Sequence, residues 1–115
     1  MINDVEKLTL LYDRMIENLN EFTMTPIDQI EKLKGFPVAD EIASDFSDIT
    51  IKYAKELFDA EWIDKEQFQK FLDVDGYLEK MSENKDLWSE EALKSAPEWE
   101  ECREMGLELL SSLGY

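Results

Sequence analysis

The chain has 115 residues and a mass of 13.5 kDa, the length of one domain over 1–115, and such a chain buries roughly two-thirds of its unfolded surface. Its 28 Asp+Glu against 12 Lys+Arg leave a formal charge of −16, while 43% hydrophobic and 11% aromatic residues make the composition globular rather than disordered. This balance excludes electrostatic gripping of nucleic-acid phosphates or anionic membranes; with no His the commonest acid–base catalyst is absent, and one Cys allows neither an internal disulfide nor a thiolate zinc site.

Helical periodicity dominates. Asn3-Asp4-Val5-Glu6 fits a capping box. Val5, Leu8, Tyr12, Met15, Leu19 and Phe22 follow at steps of three and four, widened by Leu11 and Ile16. The spacing predicts a helix over about 3–23. Thr25-Pro26 is a hydroxyl cap followed by a first-turn proline, and it starts a short second helix with Ile27, Ile30 and Leu33 inward. Gly35 ends it. Pro37 starts a third, with Val38, Ile42, Phe46, Ile49, Tyr53 and Leu57 on one stripe. No basic residue stands between Gly35 and Ile51, where Asp40, Glu41, Asp45 and Asp48 lie.

Asp64 with Gln67 forms a second capping box, opening a helix with Phe68, Phe71 and Leu72 inward. Asp73-Val74-Asp75-Gly76 is expected to interrupt it, with Tyr77, Leu78 and Met81 in a further turn or two. Ser89-Glu90-Glu91 can cap a short helix. Ser95-Ala96-Pro97-Glu98 starts the last one, whose stripe is Trp99, Cys102, Gly106, Leu109 and Leu113, with Met105 and Leu110 beside it. The expected fold is an all-α compact bundle of five or six helices, three of them long. Isolated helices of this length are marginal in water, so the shared apolar stripes must hold them.

The first twenty residues interleave acids with apolar positions, unlike a secretory leader. No apolar run reaches the roughly 18 residues needed to span a bilayer. Unpaired Cys102 suits a reducing compartment. The expectation is a complete cytoplasmic protein starting at Met1.

Residues 1–57 carry 6 basic and 12 acidic side chains, and residues 58–115 carry 6 and 16. The excess is therefore heavier in the second half. There each Trp stands among acids: Glu61-Trp62-Ile63-Asp64, Asp86-Leu87-Trp88-Ser89-Glu90-Glu91, and Glu98-Trp99-Glu100-Glu101. Asp73-Val74-Asp75-Gly76-Tyr77 is of the same kind. These clusters fall at predicted helix starts or between helices. Aromatic anchors beside carboxylates are what polar protein interfaces use against Lys and Arg. Acids at helix starts also serve the dipole. Trp99 lies on an inner stripe and reads as core, whereas Trp62 and Trp88 fall where periodicity is weak, leaving core and interface both open. A surplus this large repels itself and exceeds what solubility needs.

Asp73-x-Asp75-Gly76 fails as a calcium loop, because the first and twelfth ligand positions fall on Phe71 and Ser82. Asp28-x-x-Glu31 and Asp45-x-x-Asp48 place paired carboxylates on two neighbouring helices. This resembles the all-α nucleotide pyrophosphohydrolases, with their Glu-x-x-Glu and Glu-x-x-Asp pairs. The resemblance implies a magnesium-dependent activity. Here the shorter Asp stands at 28, 45 and 48, and no Lys/Arg cluster is at hand for phosphates. Glu100, Glu104 and Glu108 form an acidic ladder, which a cationic partner would relieve. Cys102 lies on an apolar stripe with no His to activate it, so it reads as a small hydrophobe. No enzyme, metal or cofactor is expected.

The sequence points to a basic protein as partner, with no direct nucleic-acid or membrane contact. Acidic helical immunity proteins against nuclease bacteriocins are similar in size and charge; the similarity is one of class and not of motif. It implies a stoichiometric inhibitor of a cationic antibacterial toxin. A nucleic-acid mimic, a helical adaptor and the pyrophosphohydrolase are the alternatives. The expected contact surface is Asp59, Glu61, Trp62, Asp64, Asp73, Asp75, Tyr77, Asp86, Trp88, Glu90 and Glu91, with Trp62, Tyr77 and Trp88 as anchors.

Overall fold

The computed structural model describes residues 4–115. The expected cap at Asn3 lies outside the described residues. Among those residues the fold is an all-α bundle of six helices without strands. Helix α1 is Asp4–Phe22, and α2 is Pro26–Lys32. Helix α3 runs over 38–59, as Val38–Ser44, a π-helical stretch Asp45–Thr50, and Ile51–Asp59. Helix α4 is Lys65–Met81, α5 is Glu90–Ser95 and α6 is Pro97–Ser112. A 3₁₀ turn, Lys85–Leu87, precedes α5. Helix α4 packs on α3 and α6, α1 packs on α3 and α6, and α5 covers α6 and parts of α2 and α3.

Several predicted signals act as read. Thr25 accepts from the Asp28 amide at 3.3 Å ahead of Pro26. Asp64 and Gln67 exchange their capping-box bonds at 2.7 and 2.8 Å. Ser89 Oγ accepts from the Ala92 amide. The stripe of α1 is buried at Leu11, Met15, Ile16, Leu19 and Phe22, while Val5 at its start is exposed.

Other expectations are corrected. Helix α4 continues through Asp73-Val74-Asp75-Gly76 without a break, so four helices are long. A mid-helix Gly costs about 1 kcal/mol relative to Ala. Burial of Phe71, Val74, Leu78 and Met81 on the same helix outweighs that cost. Leu72 faces outward.

At α2, Ile30 and Leu33 pack against the core as expected, but Ile27 is 72% exposed and the most buried residue is Gln29, at 1% exposure. The Gln29 side-chain amide donates to the Glu21 and Phe22 carbonyls, each at 3.0 Å. A polar side chain is inside because it donates to carbonyls at the end of α1, sharing that of Glu21 with the Met24 amide, while its own oxygen stays without a partner.

In α3 the π turn moves the stripe. Thr50 is fully buried and its hydroxyl donates to the Asp45 carbonyl five residues back, at 3.3 Å. Phe46, Thr50, Ala54 and Leu57 then face the core, and Ile49 turns out. From Val38 through Ile42, Phe46 and Thr50 to Ala54, four successive steps of four outrun a 3.6-residue turn, and the wider turn absorbs the difference.

The core carries Phe22 and Phe46 with centroids 5.0 Å apart, and Phe71 stacked 6.3 Å from Phe46. Trp99 is buried, as its stripe position implied, and its indole N–H donates to the Leu87 carbonyl at 2.6 Å. Cys102 is buried against Met81, 3.4 Å between sulfurs.

Candidate functional site

Helices α3 and α4 lie side by side with an open groove between them. Asp40, Ala43, Ser44, Ser47 and Asp48 line one wall. Asp75, Leu78, Glu79 and Ser82 line the other, and Trp88 closes one part of it. The cavity measures about 500 Å³, within the range of ligand pockets. Residues 40, 44, 47 and 48, and 75, 78, 79 and 82, recur at helical three- and four-residue steps, so each helix presents one face to the groove.

Four carboxylates therefore line this groove: Asp40, Asp48, Asp75 and Glu79. None has a Lys or Arg partner among the described residues. The ion pairs formed elsewhere are Lys32 with Glu21 at 3.1 Å and Lys55 with Asp59 at 3.5 Å. The Ser47 hydroxyl donates to Asp75 Oδ1 at 2.6 Å, bridging the two walls. Trp88 is half-buried; its N–H donates to the Met81 carbonyl at 3.1 Å and its ring meets Trp99 nearly at right angles, 5.4 Å between centroids. Behind the wall, in the π turn, burial pushes the Asp45 carboxyl above its ordinary range, and Glu21, Glu41 and Asp48 add to the shift.

The expected contact residues do not share one surface. Asp75 and Trp88 come together in the groove. Asp73, two residues earlier on α4, is exposed and accepts from Gln69 at 3.0 Å. Tyr77, two residues later, is partly buried against the core, and its hydroxyl pKa is raised by burial and by Cys102, Glu101 and Glu98 of α6. Two helical residues turn the chain about 200°, so Asp75 faces away from both. The expectation that this cluster lies between helices is corrected by the unbroken α4.

Trp62 is 39% exposed and lies 6.5 Å from Tyr12, beyond the end of α3. It lines a separate hollow with Glu61 and Asp64. Asp59 lies at the other side of that helix end, beside the start of α1. Asp86, Glu90 and Glu91 are exposed on the 3₁₀ turn and α5.

Asp40, Asp48 and Glu79 are groove residues outside the expected surface. For the two aspartates the signal was the stretch from 36 to 50 that has acids and no base, whereas Glu79, followed by Lys80, carried none. Asp28, Glu31, Asp45 and Asp48 are not gathered as the pyrophosphohydrolase resemblance requires: among the described residues no three such side chains form a group able to hold a metal ion. Burial pushes the Cys102 thiol up to about 12, only partly opposed by Arg103, so it is no nucleophile at neutral pH. What the groove offers is a field and a shape: acidic walls without a Lys or Arg partner among the described residues, three serine hydroxyls and one aromatic ring.

Comparison with protein-family models, with curated proteins and with solved structures finds no match to this chain.

Proposed function

We propose that this protein is a stoichiometric inhibitor of a basic protein, an immunity protein against a nuclease-type antibacterial toxin. One observation carries the reading. Two helices and a tryptophan frame a groove with four carboxylates, none of which pairs with a Lys or Arg of the described residues. Such a surface steers a cationic partner at high rate and competes for the basic residues that would hold phosphates. In this reading the inhibitor acts in the cytoplasm of the producing cell. Among the described residues no helix is long and apolar enough to cross a membrane.

The test is co-expression with the protein encoded by the adjacent gene, scored by growth, followed by calorimetry of the purified pair. The neighbour alone should arrest growth and the pair should restore it. Calorimetry should give a 1:1 complex that weakens at least about tenfold when salt shortens the Debye length from about 14 to about 6 Å. A neighbour whose toxicity this chain does not relieve, or a complex indifferent to salt, overturns the reading. Inhibition directed instead at a DNA-binding enzyme would transfer the function to nucleic-acid mimicry.

A further inference from the structure

We infer that the α3–α4 groove is the seat of an arginine side chain from an extended basic segment of the partner, stacked on Trp88 between the two acidic walls. This rests on the inhibitor reading and specifies where and by what chemistry the partner is held.

Charge comes first. Asp40 and Asp48 stand on one wall, Asp75 and Glu79 on the other. Like charges on facing walls repel, and a cation placed between them relieves both walls at once. An anionic or neutral occupant would not.

The ring decides which cation. The N–H of Trp88 is already committed to the Met81 carbonyl, and the indole packs against Trp99 nearly at right angles. The remaining surface that Trp88 offers the cavity is aromatic carbon, held in place before anything binds. A guanidinium is planar, weakly hydrated, stacks on aromatic faces and bonds carboxylates through two N–H groups at once. An ammonium is a strongly hydrated point charge and gains less from the flat face of Trp88, although Ser44, Ser47 and Ser82 also line the groove.

Size decides the form. A cavity of about 500 Å³ is larger than one side chain. It has room for the flanking backbone of a segment, which the open groove admits along its length. The Ser47–Asp75 bond fixes one acceptor at one end of the groove. Pre-set acceptors lower the ordering cost on binding.

The experiment is an NMR titration of the full chain at low salt with a short two-arginine peptide. Its lysine counterpart and spermidine serve as separate arms. The arginine peptide should move the Trp88 indole N–H and the amides of Asp48 and Asp75 saturably, leaving the Trp62 indole still. The lysine peptide should bind at least about fivefold more weakly, and spermidine more weakly again. The double variant Asp48→Asn with Glu79→Gln changes two exposed side chains, so it should fold unchanged and lose at least about tenfold in affinity. Trp88→Phe keeps a ring and should lose less. Shifts centred on Trp62, equal binding of the lysine peptide or spermidine, or an unaffected double variant each overturn the groove assignment. If the adjacent-gene toxin is still neutralised in that event, the inhibitor reading stands alone. If no cationic peptide and no basic protein binds at all, both fall.

Discussion

Ser47 and Asp75 are 28 positions apart in the chain and joined by one hydrogen bond of 2.6 Å across the groove. The bond ties the two acidic walls together at one end of the groove. Ser47→Ala removes the donor and leaves a partly exposed carboxylate to water. The expected cost is about 1 kcal/mol in urea unfolding, with the helical signal unchanged. Partner binding separates the two aspartates of the former cluster. Asp75→Asn should slow association and flatten its salt dependence, whereas Asp73→Asn, on another face of α4, should do so less. Equal effects would mean the groove is not the contact.

Gly106 lies where α6 crosses the end of α1. A Cβ there would stand 2.6 Å from Thr23 Cγ2 and 3.0 Å from the Phe22 ring. Thr23 cannot simply rotate away, because its hydroxyl donates to the Leu19 carbonyl at 2.9 Å. Gly106→Ala should therefore destabilise by about 1–3 kcal/mol despite its better helix propensity. Thr23→Ser removes the offending methyl and keeps the hydroxyl. In a double-mutant cycle it should recover much of the loss. Additive losses would place the strain elsewhere.

Glu61 has φ 64°, the left-handed conformation, just past the end of α3. The Trp62 amide donates to the Leu57 carbonyl at 2.9 Å and the Glu61 amide to Phe58, the closing pattern that glycine usually serves. Glu61→Gly should raise stability by about 0.5–1 kcal/mol, less than the full left-handed penalty because glycine also loosens the unfolded chain. A lowered urea midpoint would contradict this geometry.

Asp45 titrates higher in the folded protein than its ordinary 3.8, chiefly through burial and then through Glu21, Glu41 and Asp48. The folded state thus holds this proton more tightly than the unfolded state. Its ionisation costs stability as pH rises through that window, and the cost is fully present at neutral pH. Asp45→Asn should raise the urea midpoint at pH 7 and change it little near about pH 3, where both states are protonated. An equal gain at both pH values would point to packing instead of charge.

Much of the fold was legible because helices announce themselves locally. Thr25, Asp64 and Ser89 each cap within three residues, and the stripes of α1 and α6 follow their own spacing. The errors share one cause. Gln29 is inside because it donates to carbonyls of another helix, and Gly76 stays helical because its neighbours are buried. Neither reason is local.

The candidate site divides the same way. The sequence by itself determined the sign of the surface, the acid-only stretch of α3 and the aromatic–acid pairing around Trp88, since these depend on composition and adjacency alone. Only the tertiary structure decided that Asp40 and Asp48 face Asp75 and Glu79, that Tyr77 turns towards α6 and that Trp62 stands apart. Periodicity says which residues of one helix share a face. Which faces meet is settled by how the helices pack against one another, and here the π turn in α3 brings Thr50 and Ala54 inward and turns Ile49 out.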